Sequence, residues 1–240
     1  MGAPYSLEEK IKLVNHLSGF ATEQRIQLFD KVIKYRTRYI TVVVEDIFQS
    51  HNASAVLRTC DCFGIQDIHI IENRNKFDVN PDIALGSAKW LTLHKYNNPV
   101  SNTWNTLNQL KEQGYRIAAT TPHQNDCELA DLNLDSKIAF VFGTEVNGLS
   151  DEASKAADLF VKIPMYGFTE SFNISVSAAI ILYHITEKMR RSGISWQLID
   201  EEIIDIKLTW LKNTIKSSDL IERRLFNNSL FYLKIKMYLN

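Results

Sequence analysis

From Ile40 onward, short apolar runs rich in β-branched residues alternate with stretches of helical period, and this alternation constrains the fold more than any other feature of the sequence. Ile40-Thr-Val-Val-Val44, Ile68 to Ile71, Leu91 to Lys95, Tyr115 to Ala119, Ile138 to Phe142 and Leu159 to Ile163 read as strands. Several are apolar at successive positions, the pattern of strands covered on both faces rather than one. Between them, Ala53 to Phe63 and Thr103 to Gln113 have helical spacing and stop at Gly64 and Gly114, the residue type that closes helices most readily. The expected fold is therefore α/β, a mostly parallel sheet with helices on both faces.

The ends of the chain carry no strand pattern. Ser6-Leu-Glu-Glu9 has capping-box spacing ahead of apolar Ile11, Leu13, Val14 and Leu17. A second helical stretch, Glu23 to Tyr35, puts Ile26, Phe29, Val32 and Ile33 on one face. A long helix is expected from Ser171 to about Arg191, stopped by Gly193, and Trp196 to Asn240 reads as two more helices. The expected organisation is an N-terminal helical extension over 1–37, an α/β domain over 38–193 and a C-terminal helical extension over 194–240.

With 240 residues, 45% of them hydrophobic, the chain can bury a full core. Its apolar runs fall short of the roughly 20 residues that span a bilayer, and Met1 to Lys10 has no secretory pattern, so a soluble cytoplasmic protein without a membrane partner is expected. Cys60, Cys62 and Cys127 lack CxxC spacing; reduced thiols and no metal site are expected. The net charge of −1 shows no global nucleic-acid-binding surface. Basic residues do cluster at Lys31, Lys34, Arg36 and Arg38 and again at Lys188, Arg190 and Arg191, where they serve either phosphates or a solvated helix face.

Neither the dinucleotide fingerprint GxGxxG nor the phosphate loop GxxxxGK[ST] occurs, which argues against an ordinary doubly wound nucleotide enzyme. Polar islands stand instead where strands end, the place where α/β sheets bind ligands. His51 to Gly64 opens a helix with Asn52 and carries Arg58 about 120° further round it. The plain alternative is Asn52 as an N-cap and Arg58 as a surface residue. Phe142-Gly-Thr-Glu-Val-Asn-Gly-Leu-Ser150 flanks the carboxylate of Glu145 with glycines, which suits either close backbone approach to a ligand or a simple connecting turn. In Ile163-Pro-Met-Tyr-Gly-Phe-Thr-Glu-Ser-Phe-Asn-Ile-Ser175, Ser171 is placed to cap the next helix, with Asn173 and Ser175 in its first turn. That start can line a polar pocket or merely cap a core helix.

Taken together, these islands resemble the three motifs of the SpoU family of RNA 2′-O-methyltransferases over Ile40 to Arg191. The Asn52-to-Arg58 pair, the Gly-Thr-Glu-x-x-Gly loop and the Ile-Pro-Met…Ser-x-Asn segment stand in the family's order. The helical ends further resemble the TrmH type, which acts on tRNA guanosine. The resemblance implies a SPOUT fold with a C-terminal trefoil knot, a homodimer, and S-adenosylmethionine held at Thr120, Gly143, Ile163, Met165, Ser171 and Phe172. It also implies a catalytic set of Asn52, Arg58, Glu145, Ser171 and Asn173, with Arg58 serving the partner's donor site. The implied substrate is a D-loop guanosine ribose of tRNA. Ribosomal RNA is one alternative, and a catalytically inert RNA-binding knot protein, against which the intact motif residues argue, is the other.

In the family the motif-one arginine is taken as the base for the 2′-proton. A guanidinium has a pKa above about 12 and rarely gives up its proton. Two roles for Arg58 therefore stand: a true base, or a cation that positions the RNA phosphate and stabilises developing alkoxide charge. Asn52 and Asn173 would orient Arg58 or the ribose, and Glu145 would fix that arginine or the substrate. Lys207, Lys212 and Lys216 are expected to point outward, where they can grip RNA.

Overall fold

The structure, a computed structural model, describes residues 5–98, 100–121, 127–145 and 147–226. The chain opens with helices α1 (Leu7–Ser18) and α2 (Glu23–Val32). It then alternates β1 (Ile40–Glu45), α3 (Ser50–Phe63), β2 (Asp67–Ile71), α4 (Pro81–Ala84), β3 (Thr92–Tyr96) and α5 (Asn102–Glu112). It continues with β4 (Tyr115–Thr120), β5 (Cys127–Glu128), β6 (Lys137–Phe142), α6 (Asp151–Ala156), β7 (Leu159–Lys162) and α7 (Ile174–Arg191). Helix α8 (Asp200–Thr214) follows, and 218–226 is again helical. No helix among the described residues is long and apolar enough to cross a membrane.

The chain divides into two compact units, Arg36–Gln197 and a helical unit made of Met1–Tyr35 with Leu198–Asn240. The first and last helices thus share one body. In it, Phe29 packs against the buried Trp210 ring (centroids 5.3 Å apart), and Lys10 pairs with Asp205 at 2.8 Å. Ser6 and Glu9 form the expected capping box on α1. Lys207 and Lys212 are not free as expected: Lys207 meets Asp30 at 2.6 Å and Lys212 meets Glu222 at 2.5 Å.

In the larger unit all strand pairs are parallel, in the order β3-β2-β1-β6-β4-β7-β5. The unbroken apolar runs have a direct cause. Ile40, Val42 and Val44 of β1 and Ile138, Phe140 and Phe142 of β6 enter one core, with residues of α3 and α7. Their neighbours Val43, Ala139 and Val141 enter a second core on the opposite face, with residues of α5 and α6. With side chains alternating across each strand, only a sheet covered on both sides can use both sets. Elements α4, α6 and β5 escape the sequence reading because they are too short to show a period.

The arginines of the first basic cluster and all three cations of the second have partners within the fold. Buried Arg36 pairs with Asp61 and donates to the Ile65 carbonyl, while Arg38 pairs with Asp67 at 2.7 Å. Lys188 donates to the carbonyls of Ala130 and Leu132, Arg190 to that of Phe63, and Arg191 meets Glu187. Of the cysteines, Cys60 is buried, its thiol pKa pushed far up by desolvation; Cys62 is exposed and Cys127 intermediate.

Candidate active site

Two helix starts differ from expectation, and the difference builds the site. Helix α3 begins at Ser50, so Asn52 lies inside its first turn, buried, rather than capping it. Its cap residue, Gln49, makes no side-chain cap bond. The carboxylate of Glu145 serves this end from another loop, accepting from the backbone N–H groups of Phe48 and Gln49, each at 3.4 Å. An anion there also suits the positive end of the helix dipole. Helix α7 begins at Ile174 and its cap is Asn173, whose Oδ1 accepts from the N–H and hydroxyl of Ser175. Ser171 stands two residues earlier, in the loop; asparagine takes the cap because its short amide reaches the N–H two residues on.

Asn52 joins these segments. Its Nδ2 donates to Glu145 at 2.9 Å and to Gln49 at 3.1 Å, and its Oδ1 accepts from Asn173 Nδ2 at 3.0 Å. The polar residues of the three islands thus meet at one buried amide whose donors and acceptor are used. Arg58 does not join them. It is exposed on α3 and has no hydrogen bond or ion pair among the described residues, so Glu145 fixes Asn52 and not this arginine.

Beside this hub lies a cavity of about 590 Å³ lined by Thr120, Gly143, Ile163, Met165, Ser171 and Phe172, together with Glu145 and Asn173. All the residues expected to hold the methyl donor therefore share one cavity. Phe142, Phe160 and Ile181 add apolar wall, and Thr121 and Ser177 add hydroxyls. Thr120 Oγ1 donates to the Val141 carbonyl at 2.8 Å, so that hydroxyl is committed to the sheet.

The loop between β6 and α6 is folded back on itself. Thr144 and Gly148 exchange backbone hydrogen bonds (2.8 and 3.1 Å), and Gly148 has φ +67°. A Cβ on Gly143 would lie 2.2 Å from the Gly148 carbonyl oxygen, so only glycine fits there. Sequence reasoning missed the residue that anchors the loop's far end. Buried Glu45 accepts from the Ser150 hydroxyl (2.6 Å) and N–H (3.0 Å) and from the Thr103 hydroxyl (2.5 Å). The available signal was a carboxylate closing the apolar run of β1.

Residues 39–183 match the family model described as the SpoU rRNA Methylase family. The chain belongs to the SpoU family. This SpoU chain is 42% identical over 215 residues to a "tRNA (guanosine(18)-2'-O)-methyltransferase" of Borreliella burgdorferi, covering 90% of this chain and 97% of that one. It superimposes on the "A. aeolicus TrmH/SpoU tRNA modifying enzyme" with a TM-score of 0.71 at 31% identity, covering 81% of this chain and 98% of that one. It shares the fold of the SpoU methyltransferase AviRb from Streptomyces viridochromogenes, a structure in complex with AdoMet, with a TM-score of 0.54 at 18% identity, covering 68% and 62%.

Proposed function

We propose that this SpoU-family chain methylates the ribose 2′-hydroxyl of a tRNA guanosine, with S-adenosylmethionine as donor and the D-loop guanosine numbered 18 in its relatives' name as target. One observation carries the reading: the cavity that gathers the expected donor-binding residues opens beside the Asn52–Glu145–Asn173 hub. The cavity suits the donor, with apolar wall for the adenine and methylene groups and hydroxyls and loop backbone for the ribose and amino-acid ends. When bound, S-adenosylmethionine supplies an electrophilic sulfonium methyl.

The chain's own residues supply position and charge. Asn52 holds the start of α3 against Glu145 and the cap of α7, fixing the helix that carries Arg58. Arg58 is the cation that grips an RNA phosphate and stabilises negative charge growing on the 2′-oxygen as its proton leaves. Glu145 and Asn173, which line the cavity, orient the ribose, and Ser171 supports the donor.

The assembly we propose is a homodimer. Helix α7 is apolar on a second side, where Val176 and Tyr183 are 43% and 61% exposed, and Phe48 near the start of α3 is 74% exposed. A second copy covering these residues would bring Arg58 to the partner's donor site. The strand order β6-β4-β7-β5 supports the trefoil threading of the family. A tRNA substrate implies the cytoplasm as compartment.

The test incubates purified protein with methyl-labelled S-adenosylmethionine and separately with bulk tRNA and ribosomal RNA, then maps alkali-resistant 2′-O-methylated dinucleotides. Label in a guanosine dinucleotide of tRNA is expected. Label in ribosomal RNA alone would overturn the substrate, and no label in either would leave an inert knot protein.

A further inference from the structure

We infer that Arg74 and Lys76, on the loop after β2, bind backbone phosphates of the substrate RNA and hold a nucleotide over a second cavity beside the donor site; this rests on the RNA substrate proposed above. Within Arg36–Gln197, the Lys and Arg side chains without a hydrogen bond, ion pair or ring contact among the described residues are Arg58, Arg74, Lys76 and Lys155. Both Arg74 and Lys76 are exposed. Free cations are what phosphate neutralisation requires, because a side chain already paired with a carboxylate contributes little net charge.

The loop that carries them is fixed. Oδ1 of Asp46 accepts from three consecutive backbone N–H groups, those of Asn73 (2.7 Å), Arg74 (2.9 Å) and Asn75 (3.3 Å). The Asn75 side chain returns a bond to the Asp46 carbonyl at 2.8 Å, and Asn73 Nδ2 donates to Thr103. Asp46 itself takes φ +52°, a left-handed conformation that aspartate tolerates better than most residues. Two residues further along the same backbone, Phe48 and Gln49 hold Glu145. One short stretch therefore ties the Arg74 loop to the catalytic hub, and a phosphate gripped there is held in register with the reacting ribose.

Arg74 also lines a cavity of about 810 Å³ at the ends of β1 and β2. That cavity and the donor cavity share Thr144, Asn147, Gly148 and Leu149, so the glycine-bounded loop is the partition between them. Its lining is polar and acidic, with Glu72, Asp151 and Glu152 beside Asn98 and Asn102 and Arg74 as the cation among the lining residues, so it suits the hydrogen-bond donors of a base while Arg74 meets the phosphate.

The experiment measures tRNA affinity across a salt series for the wild type, Arg74→Ala/Lys76→Ala and Arg74→Lys, alongside S-adenosylmethionine affinity and methylation kinetics. In the double variant the slope of log K against log[salt] is expected to become shallower by about 1 for each phosphate that is no longer neutralised. KM for tRNA should rise several-fold, with donor affinity unchanged, while Arg74→Lys keeps the slope. An unchanged slope and KM in the double variant would overturn the inference while leaving the proposed function standing. A wild type that methylates no tRNA in the same assay overturns that function, and one that also binds none overturns both.

Discussion

The side-chain amide of Asn52 donates to the carboxylate of Glu145 at 2.9 Å, joining the first turn of α3 to the loop after β6. Because Asn52 also accepts from Asn173, its truncation strands several polar groups at once. Asn52→Ala is expected to cost about 1–3 kcal/mol of stability, from partners left unsatisfied. Turnover should fall about 100-fold as the helix carrying Arg58 loses its register. Urea unfolding and single-turnover methylation check the two effects separately; a fully active variant would remove Asn52 from the positioning machinery.

For Arg58, the expected outcome separates charge from proton transfer. Arg58→Lys should keep measurable turnover with weaker RNA binding, whereas Arg58→Ala should lose about 100- to 1000-fold in kcat, the scale of removing one charge-stabilising donor. If Arg58→Lys were as inactive as Arg58→Ala while still binding RNA at full affinity, a true base would be the better description.

Gly143 is a steric prediction. A methyl group placed 2.2 Å from the Gly148 carbonyl forces the loop open. Gly143→Ala should cost about 1–3 kcal/mol, as overpacking does. Donor affinity should drop about tenfold or more, since about 1.4 kcal/mol is a factor of ten in binding. Calorimetric titration with S-adenosylmethionine reads this directly, and wild-type affinity would contradict it.

His69 on β2 gives a pH dependence. Burial, reinforced by neighbouring His94, lowers its pKa from 6.5 to about 4. The unfolded chain therefore takes up a proton that the folded chain refuses. Stability from neutral His69 is complete above pH 6.5 and declines as pH falls towards about 4. Asp67 beside it acts in a lower window: burial would raise its pKa, but the hydrogen bond from His94 and the charge of Arg38 outweigh that and hold it below its usual 3.8. Comparing unfolding free energies at pH 7 and pH 5, His69→Gln should lose less stability than the wild type over that interval. Equal losses would show that His69 does not carry the effect.

Lys207 and Lys212 are expected to contribute little to RNA binding, since Asp30 and Glu222 already neutralise them. Lys207→Ala and Lys212→Ala should leave the salt dependence of tRNA binding nearly unchanged. A slope shallower by about 1 per lysine would show that RNA displaces those carboxylates.

Much of the site is legible in the sequence because its chemistry is local. Glycines flanking Glu145 mark a loop that folds back on itself, Asn52 and Asn173 stand at helix starts, and Arg58 lies about two turns into α3. Ser171 reads as a cap in sequence because either a hydroxyl or an amide can serve there; only the backbone angles at Asn173 distinguish them. Asp46 and Thr103 are invisible in sequence, and Glu45 shows only as a carboxylate closing β1, because their partners lie far along the chain: the Glu45–Ser150 bond spans 105 positions and the Asp46–Asn73 bond 27.

The sequence by itself determined the α/β class, the strands and most helices, since hydrophobic period and turn chemistry act over a few neighbouring residues, and its motifs singled out residues that line one cavity. The tertiary structure decided which charges are free. Arg36, Arg38, Lys188, Lys207 and Lys212 look in sequence as available to RNA as Arg74 and Lys76, yet each of the five meets a carboxylate or carbonyl, for Lys212 from the next helical stretch and for the other four from more than 20 positions away. Electrostatic pairing depends on distance in space, and distance in space is set by the folded chain.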